Sequence, residues 1–155
     1  MDRPSGLTGA AIRIATLGPV GHWPLGPGTL ASAIVAVVWR VLPWPWLGWL
    51  AFILMWSVVG TAAADRAERV LGHDDGRIVI DEVVGMGIAL LVAPRSWAGA
   101  GVAFALFRIF DIAKPPPLGL VQRARGGWGV MLDDVAAGAV AAGLLWAGVA
   151  ILSGR

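Results

Sequence analysis

The chain has 155 residues, of which 57% are hydrophobic and 14% are charged, and its formal net charge is +2. Soluble domains carry about 25% charged residues, so this composition favours a small integral membrane protein and argues against intrinsic disorder. The absence of cysteine excludes disulfide scaffolds, thiolate metal sites and cysteine nucleophiles. The cations are scattered along the chain, and we therefore expect no nucleic-acid partner.

The N-terminal part of the chain predicts a tail followed by a loop. Residues 1–17 lack a long apolar stretch with a small-residue cleavage site, which predicts an uncleaved tail on the cytosolic side. Residues 17–33 are rich in glycine and proline, so no regular helix is expected before Gly28. Gly28 or Thr29 is expected to cap the next helix, whose free N–H groups could bind phosphate. A flexible loop with an ordinary N-cap is the alternative.

Three apolar segments predict full membrane spans. Residues 41–64 and 135–154 contain no charge and reach the length of about 20 residues that a span needs. We expect the first of these helices to begin near Trp46. Residues 29–42 are shorter and carry Arg40, whose side chain can reach the membrane interface. Buried core helices of a soluble protein are the alternative interpretation.

Residues 83–107 are apolar apart from Arg95, and they can form either one span or a helical hairpin that turns at Arg95. With the N-terminus inside, a single span places cations almost equally on the two sides and puts Arg95 in the membrane centre. A hairpin leaves nine cations inside and three arginines outside. The positive-inside rule favours the hairpin. We therefore predict an all-α polytopic membrane helical bundle, one domain over residues 1–155, with three full spans plus a hairpin over about residues 81–112.

In this topology the carboxylates and most cations of the later motifs meet at the cytosolic end. Each motif also has a structural interpretation: an acidic pair that complements a helix dipole, an i,i+3 ion pair, or an N-cap at Asp133. Together, hard oxygen ligands suit Mg²⁺, and Mg²⁺ beside Lys or Arg is typical of phosphoryl transfer. The residues concerned are Asp81, Glu82, Arg108, Asp111, Lys114, Asp133 and Asp134.

Four ordered motifs over roughly residues 18–140 resemble the phosphatidylglycerophosphatase A family. They are PGTLAS (27–32), IVIDEVVGM (78–86), FRIFDIAKPPP (107–117) and GGWGVMLDDVAAG (126–138). The resemblance implies a Mg²⁺-dependent hydrolase that converts phosphatidylglycerol phosphate to phosphatidylglycerol in phospholipid biosynthesis. It also implies a multi-pass protein of the bacterial inner membrane whose active site faces the cytosol.

The resemblance further implies a role for each matching residue. Candidate Mg²⁺ ligands are Asp81, Glu82, Asp111 and Asp134. Candidate phosphate-binding groups are Gly28, Thr29, Arg108 and Lys114. Candidate catalytic residues are Asp81, Glu82, Asp111, Lys114, Asp133 and Asp134.

The mechanism and the function each keep an alternative. Asp133 or Glu82 could act as the base for a water nucleophile, or Asp111 could form an aspartyl phosphate. A small ion or solute transporter that uses carboxylates at the membrane edge is the alternative function. The sequence predicts no particular oligomeric state.

Overall fold

The computed structural model describes residues 6–73, 75–115 and 127–154, and all regular secondary structure in these residues is helical. The all-α prediction is therefore confirmed. Predictions for Asp2, Arg3, Asp74 and residues 116–126 and 155 lie outside the described residues. The helices are α1 (Gly6–Ala15), α2 (Pro27–Val41), α3 (Trp46–Leu71), α4 (Ile80–Leu90), α5 (Trp97–Ala113) and α6 (Gly127–Leu152), with a short 3-10 turn at Val20–His22.

Two helices, α3 and α6, are long and apolar enough to cross a membrane, at 26 residues each. α3 begins at Trp46, as expected. α6 begins at Gly127, eight residues before the predicted start, because the helix continues through the Asp133–Asp134 pair. An N-cap at Asp133 is therefore wrong: both carboxylates lie in the second turn of α6.

α2 also begins earlier than predicted. Gly26 is its N-cap with a φ of 69°, and Pro27 is the first helical residue, a position where its missing N–H costs nothing. Gly28 and Thr29 therefore lie in the first turn and do not cap it. α2 has 15 residues and rises roughly 22 Å at 1.5 Å per residue. Because this is short of a hydrocarbon core of about 30 Å, a third full span stays a prediction.

Residues 83–107 form two helices and not one. α4 ends at Leu90, and α5 begins after Ser96, whose hydroxyl accepts a hydrogen bond from the Gly99 N–H at 3.0 Å. The start of α4 lies beside the end of α5, where Arg108 Nη1 is 3.8 Å from Glu82 Oε1. The two helices therefore run antiparallel, as the hairpin interpretation predicts.

α4 is the centre of the bundle, in contact with α2, α3, α5 and α6. Eight of its eleven residues are buried. At the end where α4 stops, the Arg95 guanidinium donates to the backbone carbonyl oxygens of Trp39, Leu42 and Trp44 and so caps the C-terminus of α2. The opposite end of α4, at Asp81, carries the acidic residues.

Candidate active site

A cavity of about 120 Å³ opens at the end of the bundle where α4 begins, α5 ends and α6 makes its first two turns. The eight carboxylates in the described residues all lie at this end of the bundle. Six of the residues predicted from the sequence line the cavity: Asp81, Glu82, Asp111, Lys114, Asp133 and Asp134.

Glycines bring the backbones of α4 and α6 together beside this cavity. A Cβ atom at Gly138 would lie 2.2 Å from the carbonyl oxygen of Gly85, and one at Gly85 would lie 2.6 Å from that of Asp134. Gly85 follows Asp81 by one helical turn, and Gly138 follows Asp134 by one turn. The close approach therefore sets Asp81 and Asp134 next to each other.

The carboxylates form two groups of three whose oxygens lie within 4.8 Å of one another. One group is Asp81, Glu82 and Asp134, and the other is Asp111, Asp133 and Asp134. Among the described residues, three of their buried oxygens have no hydrogen-bond donor: Asp81 Oδ1, Glu82 Oε2 and Asp134 Oδ2. Because a buried carboxylate oxygen without a partner is costly, this donor set fits a hard divalent cation such as Mg²⁺.

Two cationic side chains face the carboxylates. Arg108 Nη1 lies 2.6 Å from Asp111 Oδ2, one helical turn away on α5. Lys114 directly follows α5 and forms an ion pair with Asp133. Burial alone would lower the pKa of Lys114, but its hydrogen bond to Asp133 and the charges of Asp133, Asp111 and Asp134 raise this pKa above its ordinary value. Lys114 is therefore a stable positive charge at neutral pH.

Gly28 and Thr29, predicted to bind phosphate, do not line the cavity. Gly28 is buried against the Glu82 carboxylate, and the Thr29 side chain is exposed and does not line the cavity. The structure thus brings the PGTLAS motif to the site through the backbone of α2.

The loop before α4, for which the sequence predicted no role, also lines the cavity at His73, Asp75 and Gly76. Asp75 accepts hydrogen bonds from Arg77 Nε at 2.8 Å and Nη2 at 2.7 Å. These bonds lower the pKa of Asp75 from 3.8 to about 2. The only signal in the sequence was the short spacing of Asp75 and Arg77.

A comparison with known protein families agrees with the four motifs and with the geometry of the site. The family model for phosphatidylglycerophosphatase A matches residues 13–149. The chain belongs to the phosphatidylglycerophosphatase A family. The resemblance drawn from the motifs is therefore confirmed, and every residue that forms the two carboxylate groups lies inside the matched range.

Individual relatives agree with the family. Phosphatidylglycerophosphatase A of Escherichia coli is 34% identical over 130 residues, which cover 81% of this chain and 76% of that protein. The protein of the same name from Haemophilus influenzae is 38% identical, covering 76% of this chain and 71% of that protein. A Bacteroides thetaiotaomicron protein with the provisional name phosphatidylinositol-3-phosphatase is 39% identical, covering 89% and 91%. No solved structure matches the chain.

Proposed function

We propose that the protein hydrolyses the phosphomonoester of phosphatidylglycerol phosphate and releases phosphatidylglycerol and inorganic phosphate. The observation that carries the proposal is the partly buried carboxylate cluster beside Lys114 and Arg108, in a chain of the phosphatidylglycerophosphatase A family. A cavity of about 120 Å³ suits a phosphate group. The acyl chains of a lipid substrate would stay outside it, in the membrane.

We propose Mg²⁺ as the cofactor, held by Asp81, Glu82, Asp111 and Asp134. Three of their buried oxygens support this assignment, because no hydrogen-bond donor among the described residues reaches them and a bound cation would. When bound, Mg²⁺ would polarise a phosphoryl oxygen and favour ionisation of a water molecule.

The protein's own side chains would do the remaining work. Lys114 and Arg108 would bind the negative oxygens of the phosphate and stabilise the charge that develops on them. Asp133 or Glu82 would accept a proton from the attacking water. The water oxygen bonds to phosphorus as the bond from phosphorus to the glycerol oxygen breaks. The glycerol oxygen then takes up a proton.

A covalent route through Asp111 is the alternative mechanism. Asp111 lies against Arg108, which would hold both the carboxylate and the phosphate. Rapid quenching with ³²P-labelled substrate separates the two routes. A labelled protein that Asp111→Asn abolishes would establish the aspartyl phosphate and exclude direct attack by water.

We further propose a multi-pass protein of the bacterial inner membrane, with α2 as a third span and the cavity facing the cytosol. The apolar length of α3 and α6 supports the membrane location. The position of Arg40 and Arg95, far from the other described cations, supports the orientation.

The test is phosphate release from phosphatidylglycerol phosphate in mixed micelles, with Mg²⁺ and with EDTA. We expect release that depends on Mg²⁺ and falls about 10²-fold or more in Asp81→Asn and Lys114→Ala. The matched control is Asp65→Asn, because Asp65 pairs with Arg69 outside the cavity. Absence of release in Mg²⁺, or full release by Asp81→Asn, would count against the proposal.

The same assay with phosphatidylinositol 3-phosphate addresses the second substrate that a relative's name suggests. Both lipids present a phosphomonoester on a headgroup, and the cavity chemistry suits either. A higher kcat/KM for phosphatidylglycerol phosphate supports the proposed substrate. The reverse order would assign the protein to the inositol lipid.

A further inference from the structure

Asp134 belongs to both carboxylate groups at the bottom of the cavity. We infer that the site binds two divalent cations side by side, one between Asp81, Glu82 and Asp134 and the other between Asp111, Asp133 and Asp134, with Asp134 shared. The inference deepens the proposed function and rests on it. Pairs of cations that share a carboxylate are a known means of holding both the attacking and the leaving oxygen of a phosphate.

The burial of Asp134 supports a ligand on its free oxygen. Asp134 is 3% exposed, and its Oδ2 atom has no hydrogen-bond partner among the described residues. Its helix, α6, packs against both α4 and α5. Asp134 therefore stands between the acidic pair that begins α4 and the carboxylate that ends α5, where a bridging ligand would have to be.

The formal charge of the cluster, with all five carboxylates ionised, favours more than one divalent cation. Five carboxylates face two cationic side chains, Arg108 and Lys114, which leaves a formal charge of −3. One divalent cation would leave −1, and the cavity would still repel a phosphomonoester dianion. Two divalent cations would leave +1, which attracts it. Because charges in a partly buried site interact strongly, this difference in sign governs substrate binding.

The Lys114 ammonium group lies beside the second proposed cation position. Its ammonium group pairs with Asp133, a member of the second group, and its side chain is 32% exposed. A flexible stem with access to solvent can release Asp133 to a cation and turn the ammonium toward the phosphate. Removing this ammonium should therefore tighten the second cation while it weakens phosphate release.

The experiment counts Mn²⁺, used as the probe for Mg²⁺, on the full chain in detergent micelles after chelator treatment. Equilibrium dialysis should give two Mn²⁺ per chain, and low-temperature electron paramagnetic resonance should give a spin-coupled spectrum. Asp111→Asn and Glu82→Gln should each retain one Mn²⁺ with the uncoupled six-line signal. Asp65→Asn should retain two coupled ions, and Lys114→Met should bind the second ion more tightly than the wild type.

A single Mn²⁺ per wild-type chain at saturation, two uncoupled ions, or two coupled ions in Asp111→Asn would overturn the inference. The wild-type measurements decide the question even if a variant fails to fold. Phosphate release from the same samples separates the two proposals. One bound ion with Mg²⁺-dependent release rejects the shared site and keeps the phosphatase. Two coupled ions without release from either lipid rejects the phosphatase and keeps the shared site.

Discussion

The Glu82 carboxylate lies directly against Gly28, so that a Cβ atom at Gly28 would be 1.9 Å from Glu82 Oε1. Gly28 is in the first turn of α2, and Glu82 is in the first turn of α4. Because Gly28 has no side chain, it leaves space for the Glu82 carboxylate, which belongs to the first carboxylate group. This contact gives the PGTLAS motif a role that does not depend on phosphate binding.

We predict that Gly28→Ala displaces the Glu82 carboxylate and leaves the fold intact, because a flexible side-chain end can move more easily than backbone. Phosphate release should fall about tenfold or more, which corresponds to roughly 1.4 kcal/mol, and Mn²⁺ should bind more weakly. The control is Gly143→Ala, since a Cβ at Gly143 meets nothing within 4 Å. Unchanged Mn²⁺ affinity in Gly28→Ala would show that this contact does not position Glu82.

The backbone contact between Gly85 and Gly138 predicts a different result. In Gly138→Ala the new methyl group meets a carbonyl oxygen that cannot rotate away, so α4 and α6 must separate. Overpacking of this kind costs about 1–3 kcal/mol. We expect a lower free energy of unfolding in detergent, together with weaker Mn²⁺ binding, because Asp81 and Asp134 move apart. Gly143→Ala, on the same helix, should be at least as stable as the wild type, because alanine is favoured over glycine in a helix interior. A Gly138→Ala variant as stable as the wild type would contradict the close contact.

Lys114 combines a functional charge with an unfavourable backbone conformation. Its φ of 41° and ψ of 55° lie in the left-handed region, which glycine adopts without strain. Lys114→Gly and Lys114→Ala should therefore lose phosphate release equally, while the glycine variant should be more stable by about 1 kcal/mol. Thermal unfolding and phosphate release measured on both variants check the prediction. A difference in activity between them would mean that backbone conformation contributes to catalysis.

The sequence predicted those features that local chemistry determines. α2 stops before Pro43, which cannot continue a helix, and α3 begins at Trp46 directly after its N-cap Pro45. The hairpin followed from the positive-inside rule and from the cost of placing Arg95 in the membrane centre. In the structure Arg95 binds backbone carbonyls at the far end. Six of the charged residues that line the cavity were predicted because each one interrupts or borders an apolar helix; Asp75 was not.

Features that depend on contacts between helices were not predictable from the chain. The apolar run of α6 suggested that Asp133 was its cap, because nothing local marks Gly127 as a helix start. The contact of Gly85 with Gly138 joins positions more than 50 residues apart. Asp75 reaches the cavity through a loop whose path is set by packing, including the hydrogen bond from the Val79 N–H to the Ala15 carbonyl at 2.9 Å.

The pair of Asp75 and Arg77 predicts how stability changes in acid. Because its bond with Arg77 lowers the pKa of Asp75 to about 2 from 3.8, the pair stabilises the fold fully above the ordinary value. That contribution declines as pH falls from about 4 and is lost below about 2. In Asp75→Asn the decline should be absent, so the melting temperatures of wild type and variant should converge between pH 5 and pH 2. A gap that widens on acidification would contradict the assignment.

Arg95 should affect stability without affecting chemistry. Its guanidinium bonds to the carbonyl oxygens of Trp39, Leu42 and Trp44, at the end of the bundle away from the cavity. Arg95→Ala removes these bonds and should lower the free energy of unfolding by about 1 kcal/mol or more. Arg95→Lys should restore only part of this stability, because an ammonium group cannot reach all of the same acceptors. Phosphate release per folded molecule should stay at the wild-type level in both variants.

The control is Arg66→Ala. Arg66 donates to the Ala62 carbonyl of its own helix, and its loss should change stability by less than about 0.5 kcal/mol. Equal stability of Arg95→Ala and Arg66→Ala would show that the contacts of Arg95 with α2 and the loop beyond it do not stabilise the bundle.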